Sequence, residues 1–305
     1  MDSTKIAYVV PTMDRPDDLR KLLQSLGSEN RVVDQLVIVD ASDPPVKDVC
    51  ASFPDLPLDY IRVFPPSLAM QRNAGMAQIR PEITVAGYLD DDIVVEPDAT
   101  EQMVKFWENA SDEVGGASFS IINQPVLIKS FIRRFFLMDT TKPGQVLSSG
   151  FSSQIPYVTE TIETAQLYGG ATVWRRSVID AYTFDEWFLG HGYYEDVDYS
   201  YRVGLKHRLF VVAEARLWHF SRPIAEGKHY DLGRQQIFNR LYFVRKVGGF
   251  NMLAVMWGLF GQVLQNLYVF IRRSDQNSLC RLRGNLAALM GALLGRKNPY
   301  GGHYK

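Results

Sequence analysis

The stretch "VAGYLDDDIVVEPD" runs from Val85 to Asp98, and its place in the chain decides the fold that the sequence predicts. Its first five residues are typical of a buried strand, which ends on three consecutive carboxylates, Asp90, Asp91 and Asp92. Like charges side by side repel one another and resist removal from water. The triplet is therefore either a solvated loop or a place where a positive group balances the carboxylates.

Strand and helix patterns alternate before this stretch. Short apolar runs at 6–10, 35–40 and 58–63 read as strands, and the segments between them read as short helices. In 16–26, for example, leucines recur at helical spacing after a proline. Such alternation predicts a parallel sheet with helices on both faces, whose ligands bind beyond the carboxyl ends of the strands. Polar groups follow the first, second and fourth of the predicted strands, in "PTMDR", "DASD" and "DDD".

Composition limits the class of protein. The chain has 305 residues, of which 46% are hydrophobic, and a formal net charge of -1, so no overall basic field indicates a nucleic-acid partner. Its two cysteines, Cys50 and Cys280, have no metal-ligand spacing and favour a reducing compartment. The first residues lack the pattern of a secretory signal. We therefore expect a cytoplasmic globular protein.

Two acidic clusters suggest chemistry. Adjacent carboxylates at a strand end are good ligands for a hard divalent cation, so a metal on Asp90 and Asp92 could hold a nucleoside diphosphate. Asp91 is expected to point back, towards a backbone or basic partner. In "YYEDVDYSYR", acids at a predicted helix start are favoured by the helix dipole, but Asp196 can also serve as a general base.

The order of these signals resembles a glycosyltransferase of the large family 2 type. The resemblance covers roughly 4–245 and rests on seven segments in the family's order: "VVPTMDRPDDLRKLLQSL", "LVIVDASD", "QRNAGM", "YLDDDIVVEPD", "GGATVWRRSVI", "GYYEDVDYSYRV" and "LWHF". Each segment alone is a weak signal, whereas seven in sequence make a strong one. The resemblance implies an α/β protein with the GT-A (Rossmann-like) fold, a mixed but mainly parallel sheet flanked by helices.

The resemblance also implies roles for individual residues. The nucleotide-sugar is expected to contact Pro11, Thr12, Arg15, Asp40, Ser42, Arg72, Asn73, Asp90, Asp91 and Gly170. The expected ligands of Mn²⁺ or Mg²⁺ are Asp92, Asp90 and His219. Asp196 is the expected catalytic base. The acceptor is expected near Glu195, His191 and Trp174.

The implied reaction moves one sugar from a UDP-sugar or dTDP-sugar to a hydroxyl of a glycan or lipid-linked glycan, with inversion, in assembly of a bacterial surface polysaccharide. A haloacid-dehalogenase-like phosphatase is one alternative, because "DDDIV" also fits that family's D-x-D-x-[TV] pattern with Asp90 as nucleophile. A nucleotide-sugar binding protein without catalysis is another. A processive synthase is disfavoured, because Gln236 and Arg240 lack the spacing and tryptophan of the Q-x-x-R-W element.

The end of the chain differs in composition. We expect a glycosyltransferase domain over 1–247, with a flexible insertion at 123–165, and a helical segment over 248–305. Residues 251–271 are almost wholly apolar and about as long as the roughly 20 residues of a membrane span, but Gln262, Gln265 and Asn266 interrupt them. Two helices at the inner face of the cell membrane fit better. The alternative is soluble helices that pack on the domain or form a homo-oligomer.

Overall fold

A computed structural model describes residues 4–125, 130–189 and 192–295 of the chain. In these residues nine strands form one sheet. The strands are β1 (Ile6–Thr12), β2 (Gln35–Asp40), β3 (Leu58–Arg62), β4 (Val85–Leu89), β5 (Ile93–Val95), β6 (Val114–Ile121), β7 (Ile162–Thr164), β8 (Ala171–Arg175) and β9 (Arg208–His219). The four strands predicted up to the acidic triplet are present. The short strands β5 and β7 were not predicted.

The sheet is mixed, in the order β3-β2-β1-β4-β8-β6-β9-β5, with β7 paired to β9. The strands from β3 to β4 are all parallel. β8 is antiparallel to both β4 and β6, and β5 is antiparallel to β9. This arrangement confirms the predicted fold class. Because β1, β2 and β4 are parallel, their carboxyl ends and the polar segments after them meet at one edge of the sheet.

The helices that accompany the sheet are α1 (Pro16–Gly27), α2 (Lys47–Ala51), α3 (Leu68–Met76), α4 (Ala99–Asn109), α6 (Arg176–Ala181) and α7 (Glu195–Gly204). The leucines of α1 that recur at helical spacing are all buried: Leu19, Leu22, Leu23 and Leu26. Burial of each such side chain is worth roughly 1.5–3 kcal/mol. They join strand residues such as Ile6 and Leu36 in the main hydrophobic core, which fixes the helix against the sheet.

The chain divides into two compact units. The first holds the whole sheet and comprises Met1–Val126, Pro156–Glu186 and Glu195–Ser221. The second comprises Leu127–Ile155, Trp187–Tyr194 and Arg222–Lys305. Its helices are α5 (Phe131–Phe135), α8 (His229–Val247), α9 (Met252–Arg273) and α10 (Gln276–Leu293). Part of the predicted insertion at 123–165 thus belongs to the same unit as the C-terminal helices.

Candidate active site

The carboxyl end of β4 brings three potential metal ligands together. Asp90 and Asp92 come directly after β4, and His219 is the last residue of β9. One ligand atom of each residue lies within 4.8 Å of those of the other two. The short strand β5 causes this proximity, because it follows the triplet and pairs with β9 so that Ile93 lies opposite His219. The backbone N–H of Phe220 also donates to the carbonyl of Asp92, at 2.8 Å.

The chemistry of this cluster suits a divalent cation. Nε2 of His219 lies 3.0 Å from Oδ1 of Asp92, yet this buried oxygen has no well-formed hydrogen bond to any described residue. Burial opposes charge on both groups, but their contact outweighs it, raising the pKa of His219 and lowering that of Asp92. A divalent cation held by both side chains would satisfy this buried oxygen. Two carboxylates and an imidazole suit Mn²⁺.

Asp91 points away from this cluster, back into the fold. It is 4% exposed and accepts hydrogen bonds from Oγ1 of Thr12 at 2.8 Å and from the guanidinium of Arg15 at 3.0 Å. Burial raises the pKa of Asp91 to about 6, even though Arg15 acts against the shift. Arg15 also lies 3.2 Å from Asp92. Thr12, at the end of β1, and Arg15, in the loop that follows it, therefore balance part of the charge of the triplet.

A buried arginine links the triplet to the second acidic cluster. Arg72, on α3, contacts Oδ1 of Asp90 at 3.1 Å and Oε1 of Glu195 at 2.7 Å. Its guanidinium also lies over the ring of Phe184, 5.1 Å from the centroid. The Arg72 side chain is 2% exposed, so both contacts are in a poorly solvated place where charges interact strongly. Arg72 is thus a positive partner beside Asp90, which agrees with the second of the two readings of the triplet.

The two residues at the start of α7 have different surroundings. Glu195 is 5% exposed and is held by Arg72, so contact with an acceptor is not open to it in this structure. Asp196 is only partly buried and accepts hydrogen bonds from the backbone N–H groups of Gly169 and Val197. Burial raises the pKa of Asp196, although Arg72 acts against the shift. Asp196 is therefore the better placed of the two carboxylates to take a proton.

Gly169 and Gly170 allow the strand β8 to approach both acidic clusters. A Cβ atom on Gly170 would lie 2.0 Å from Oδ2 of Asp90, and one on Gly169 would lie 2.6 Å from the guanidinium of Arg72. The carbonyl of Gly170 also accepts a hydrogen bond from the N–H of Asp90 at 2.9 Å. Any larger residue at either position would displace a charged group of the site.

Asp40, predicted to bind the nucleotide base, is fully buried at the end of β2. Its carboxylate accepts from the N–H groups of Ser42 and Val46, at 2.8 and 3.0 Å, and from the hydroxyl of Tyr60 at 2.6 Å. These hydrogen bonds lower the pKa of Asp40 in spite of its burial. In this structure Asp40 shapes the loop after β2, and its contact with a base stays a prediction. Oγ of Ser42 accepts from the N–H of Asp14 in the first loop, at 2.8 Å.

Other predicted site residues are buried, bonded to the backbone or outside the described residues. Trp174 is 1% exposed and donates to Thr172 Oγ1, so it is a core residue and cannot border an acceptor here. Asn73 is engaged by its amide, which bonds to the backbone of Phe184 in both directions. Pro11 is buried within β1. His191 lies outside the described residues.

Gln71 was not predicted as a site residue, yet it joins two of the strand ends. Its Nε2 donates to the carbonyl of Thr12 at 3.0 Å and to that of Val39 at 2.8 Å. Gln71 is 4% exposed, so these bonds are shielded from water. Its position directly before Arg72 in "QRNAGM" was a signal that could have identified it.

The chain also matches a known protein family. The family described as "Glycosyl transferase family 2" matches residues 8–182, more than half of the chain, which decides against the phosphatase alternative. No curated protein sequence matches the chain significantly.

Solved structures share the fold at low sequence identity. The mannosyltransferase PcManGT from Pyrobaculum calidifontis, in complex with GDP-Man and Mn²⁺, has a TM-score of 0.53 and 14% identity over 97% of this chain and 77% of its own. TarS 1-349 of S. aureus has a TM-score of 0.54 and 15% identity over 95% of this chain and 81% of its own. GalNAc-T7, with UDP, GalNAc and Mn²⁺, has a TM-score of 0.60 and 14% identity over 80% of this chain and 48% of its own.

Proposed function

The chain belongs to glycosyl transferase family 2, and on that premise we propose that it moves one sugar from a nucleoside-diphosphate sugar to an acceptor hydroxyl with inversion of configuration. One observation carries the proposal: buried Arg72 joins Asp90 of the carboxylate–imidazole cluster to Glu195, the neighbour of Asp196. This contact supports a diphosphate site at the cluster with the proposed proton acceptor beside it.

The donor is expected to bind at the carboxyl ends of β1, β2 and β4. Asp90, Asp92 and His219 would hold Mn²⁺, or Mg²⁺ more weakly, since imidazole is a better ligand for Mn²⁺. When bound, the metal neutralises negative charge that develops on the leaving diphosphate. Arg15, whose side chain is 36% exposed, is available to a phosphate oxygen from the other side.

Asp196 is the proposed base. It would accept the proton of the acceptor hydroxyl while that oxygen attacks the anomeric carbon opposite the leaving diphosphate. Its raised pKa makes it a better proton acceptor than an ordinary aspartate, and the residue is less buried than its neighbour Glu195. One displacement inverts the anomeric centre and requires no second nucleophilic carboxylate. The role of Glu195 is to fix Arg72 and so the position of Asp90.

We propose UDP-sugars or dTDP-sugars as donors and a glycan or lipid-linked glycan as acceptor, in assembly of a bacterial surface polysaccharide. Solved structures of the same fold hold GDP-Man, UDP or UDP-GlcNAc, which supports a nucleotide-sugar donor in general. We expect the loop after β2 to select the nucleotide base. In this loop Asp40 accepts hydrogen bonds from the N–H of Ser42 and from the hydroxyl of Tyr60 on β3.

A ligand panel tests the donor site. Thermal unfolding of the full chain is followed with UDP, dTDP and GDP, each with and without Mn²⁺. A ligand that binds the folded state raises the melting temperature by mass action. We expect a Mn²⁺-dependent rise with at least one uridine or thymidine diphosphate. The absence of any Mn²⁺-dependent response would refute the donor site.

Substitution of the base tests the reaction. Asp196→Asn should keep the Mn²⁺-dependent rise with the nucleotide but lower turnover of the nucleotide-sugar by about 10²–10⁴-fold, the usual contribution of a positioned base. Asp112→Asn, at a fully exposed aspartate, is the matched control and should leave turnover unchanged. Unchanged turnover in Asp196→Asn would show that another group takes the proton. Absence of turnover in the parent chain as well, with nucleotide binding retained, would favour a nucleotide-sugar binding protein without catalysis.

A further inference from the structure

Helix α9 exposes large apolar side chains and buries a face that mixes apolar and polar residues. Its exposed face carries large apolar and aromatic side chains: Leu253, Met256, Trp257, Phe260, Tyr268 and Ile271. Its buried face includes the polar residues Gln262 and Asn266. A helix on a soluble domain normally turns its apolar stripe to the core and its polar side to water. The exposed face of α9 is therefore better suited to an apolar environment than to water.

The polar groups on the inner face are used within the second unit. Nδ2 of Asn266 donates to Oδ1 of Asn285 on α10 at 2.7 Å, and Nδ2 of Asn285 donates to the carbonyl of Gly233 on α8. Where α8 and α10 cross, glycine replaces larger residues: a Cβ on Gly284 would lie 2.2 Å from the carbonyl oxygen of Tyr230. Polar links and close glycine contacts inside, with apolar groups outside, are typical of helices that face lipid.

The short helix α5 extends the apolar face of α9. The side chains of Phe131, Ile132 and Phe135 are 74%, 65% and 56% exposed. Nε1 of Trp257 donates to the carbonyl of Phe135 at 2.8 Å, and the two rings lie 5.4 Å apart. We call the exposed apolar residues of α5 and α9 the apolar face. It combines two segments more than a hundred residues apart, and contiguous exposed apolar surface of this kind marks an interaction site.

Charge favours an anionic partner. Helix α9 contains no acidic residue and ends on exposed Arg272 and Arg273. In α10, Arg283 is exposed, whereas Arg281 is paired with Asp275, the residue directly before the helix. A second copy of the chain would bring the same positive helices against these ones, whereas an anionic surface complements them. Tryptophan and tyrosine on the apolar face also suit the boundary between lipid and water.

We propose that the apolar face docks on an anionic lipid bilayer and lies in its interface. By length and composition α9 is the one helix among the described residues that could cross a membrane, with a mean hydropathy of 1.4, a criterion that core helices of soluble proteins also meet. A crossing is disfavoured because the inner face of α9 is bound to α10 through Asn266 and Asn285. Only one face is free for lipid, as in an amphipathic helix that lies in the membrane plane.

Sedimentation with lipid vesicles tests this proposal without any nucleotide. The full chain is mixed with vesicles of phosphatidylcholine alone, or of phosphatidylcholine and phosphatidylglycerol in equal parts. We expect it to sediment with the anionic vesicles and to be released by high salt. A chain that stays in solution with both vesicles would overturn the proposal.

Substitutions locate the contact. Leu253→Ser and Ile271→Ser remove exposed side chains, so neither should alter the melting temperature, and each should lower the partition coefficient about tenfold. Leu205→Ser is the matched control, because Leu205 is 60% exposed in the first unit, and it should bind like the parent. Equal losses in all three variants would refute a specific face. If the parent chain is a dimer in the absence of lipid and the Leu253→Ser variant is a monomer, a second copy of the chain covers the apolar face instead.

Discussion

Gly170→Ala separates the metal site from the stability of the fold. The added Cβ would lie 2.0 Å from Oδ2 of Asp90, whereas ordinary contact begins at 3.4 Å. The carboxylate must therefore move by roughly 1.4 Å, a displacement that takes it out of ligand position. Because the Asp90 side chain is 29% exposed, it can rotate towards water, and Arg72 keeps its contact with Glu195. We expect unfolding free energy to fall by only about 1 kcal/mol, the worth of one hydrogen bond.

The expected loss is in metal binding and turnover. Disturbance of a group that orients a metal ligand typically weakens metal binding by about 10–100-fold. Titration of the full chain with Mn²⁺, with free ion measured by electron paramagnetic resonance, gives the dissociation constant directly. Gly27→Ala is the matched control, because no atom lies within 4 Å of its added Cβ, and it should bind Mn²⁺ like the parent.

A double variant sharpens this test. Asp90→Asn should weaken Mn²⁺ binding to a similar extent, and its combination with Gly170→Ala should add little, because both changes remove the same ligand. Parent-like Mn²⁺ affinity in Gly170→Ala would refute the position of Asp90 in the site. Additive losses in the double variant would show that Gly170 acts through another group.

Three further predictions concern charge. Burial raises the pKa of Glu29 to about 7, so the stability that Glu29 contributes is complete below its ordinary pKa and is lost as pH rises through 7. Between pH 4.5 and 8 the unfolding free energy of Glu29→Gln, measured in urea, should therefore rise by about 3 kcal/mol relative to that of the parent. An unchanged difference across that range would contradict this. Contact with Asp92 raises the pKa of His219, so at low pH Mn²⁺ must displace a proton from the imidazole. Below that raised pKa the affinity for Mn²⁺ should fall roughly tenfold per pH unit. Calorimetric titration of His219→Asn should show no such dependence on pH. Arg72→Met leaves two carboxylates unpaired and should cost about 3–5 kcal/mol, part of which Glu195→Gln restores in the double variant; equal stability of the single and double variants would contradict the coupling.

Much of the sheet could be predicted because its signals are local. The apolar runs that became β1, β2 and β4 are each followed within a few residues by a polar segment, and the parallel order of these strands places those segments at one edge. The strand β5 could not be predicted in this way. It is three residues long, and only its pairing with β9 defines it.

For individual site residues, too, local sequence indicates the residue type, whereas the tertiary structure decides the exposure. The triplet and Asp196 were proposed as site residues from residue type and order, since metal binding and proton transfer need carboxylates, and their roles stay predictions. Burial decided against two other predictions: Trp174 and Glu195 have side chains suited to an acceptor, but packing closes both from solvent. Exposure depends on neighbours that are distant in the chain, so no local pattern reveals it.

The sequence by itself determined the class of fold, the family resemblance and the set of carboxylates proposed to carry the chemistry, because these follow from residue types, their order and their spacing. Only the tertiary structure decided how the three adjacent charges are tolerated. Asp91 is matched by Thr12 and Arg15, Asp90 by Arg72, and Asp92 by His219. Every one of these partners is more than fifteen residues away from the triplet, and electrostatic energy depends on distance in space rather than along the chain.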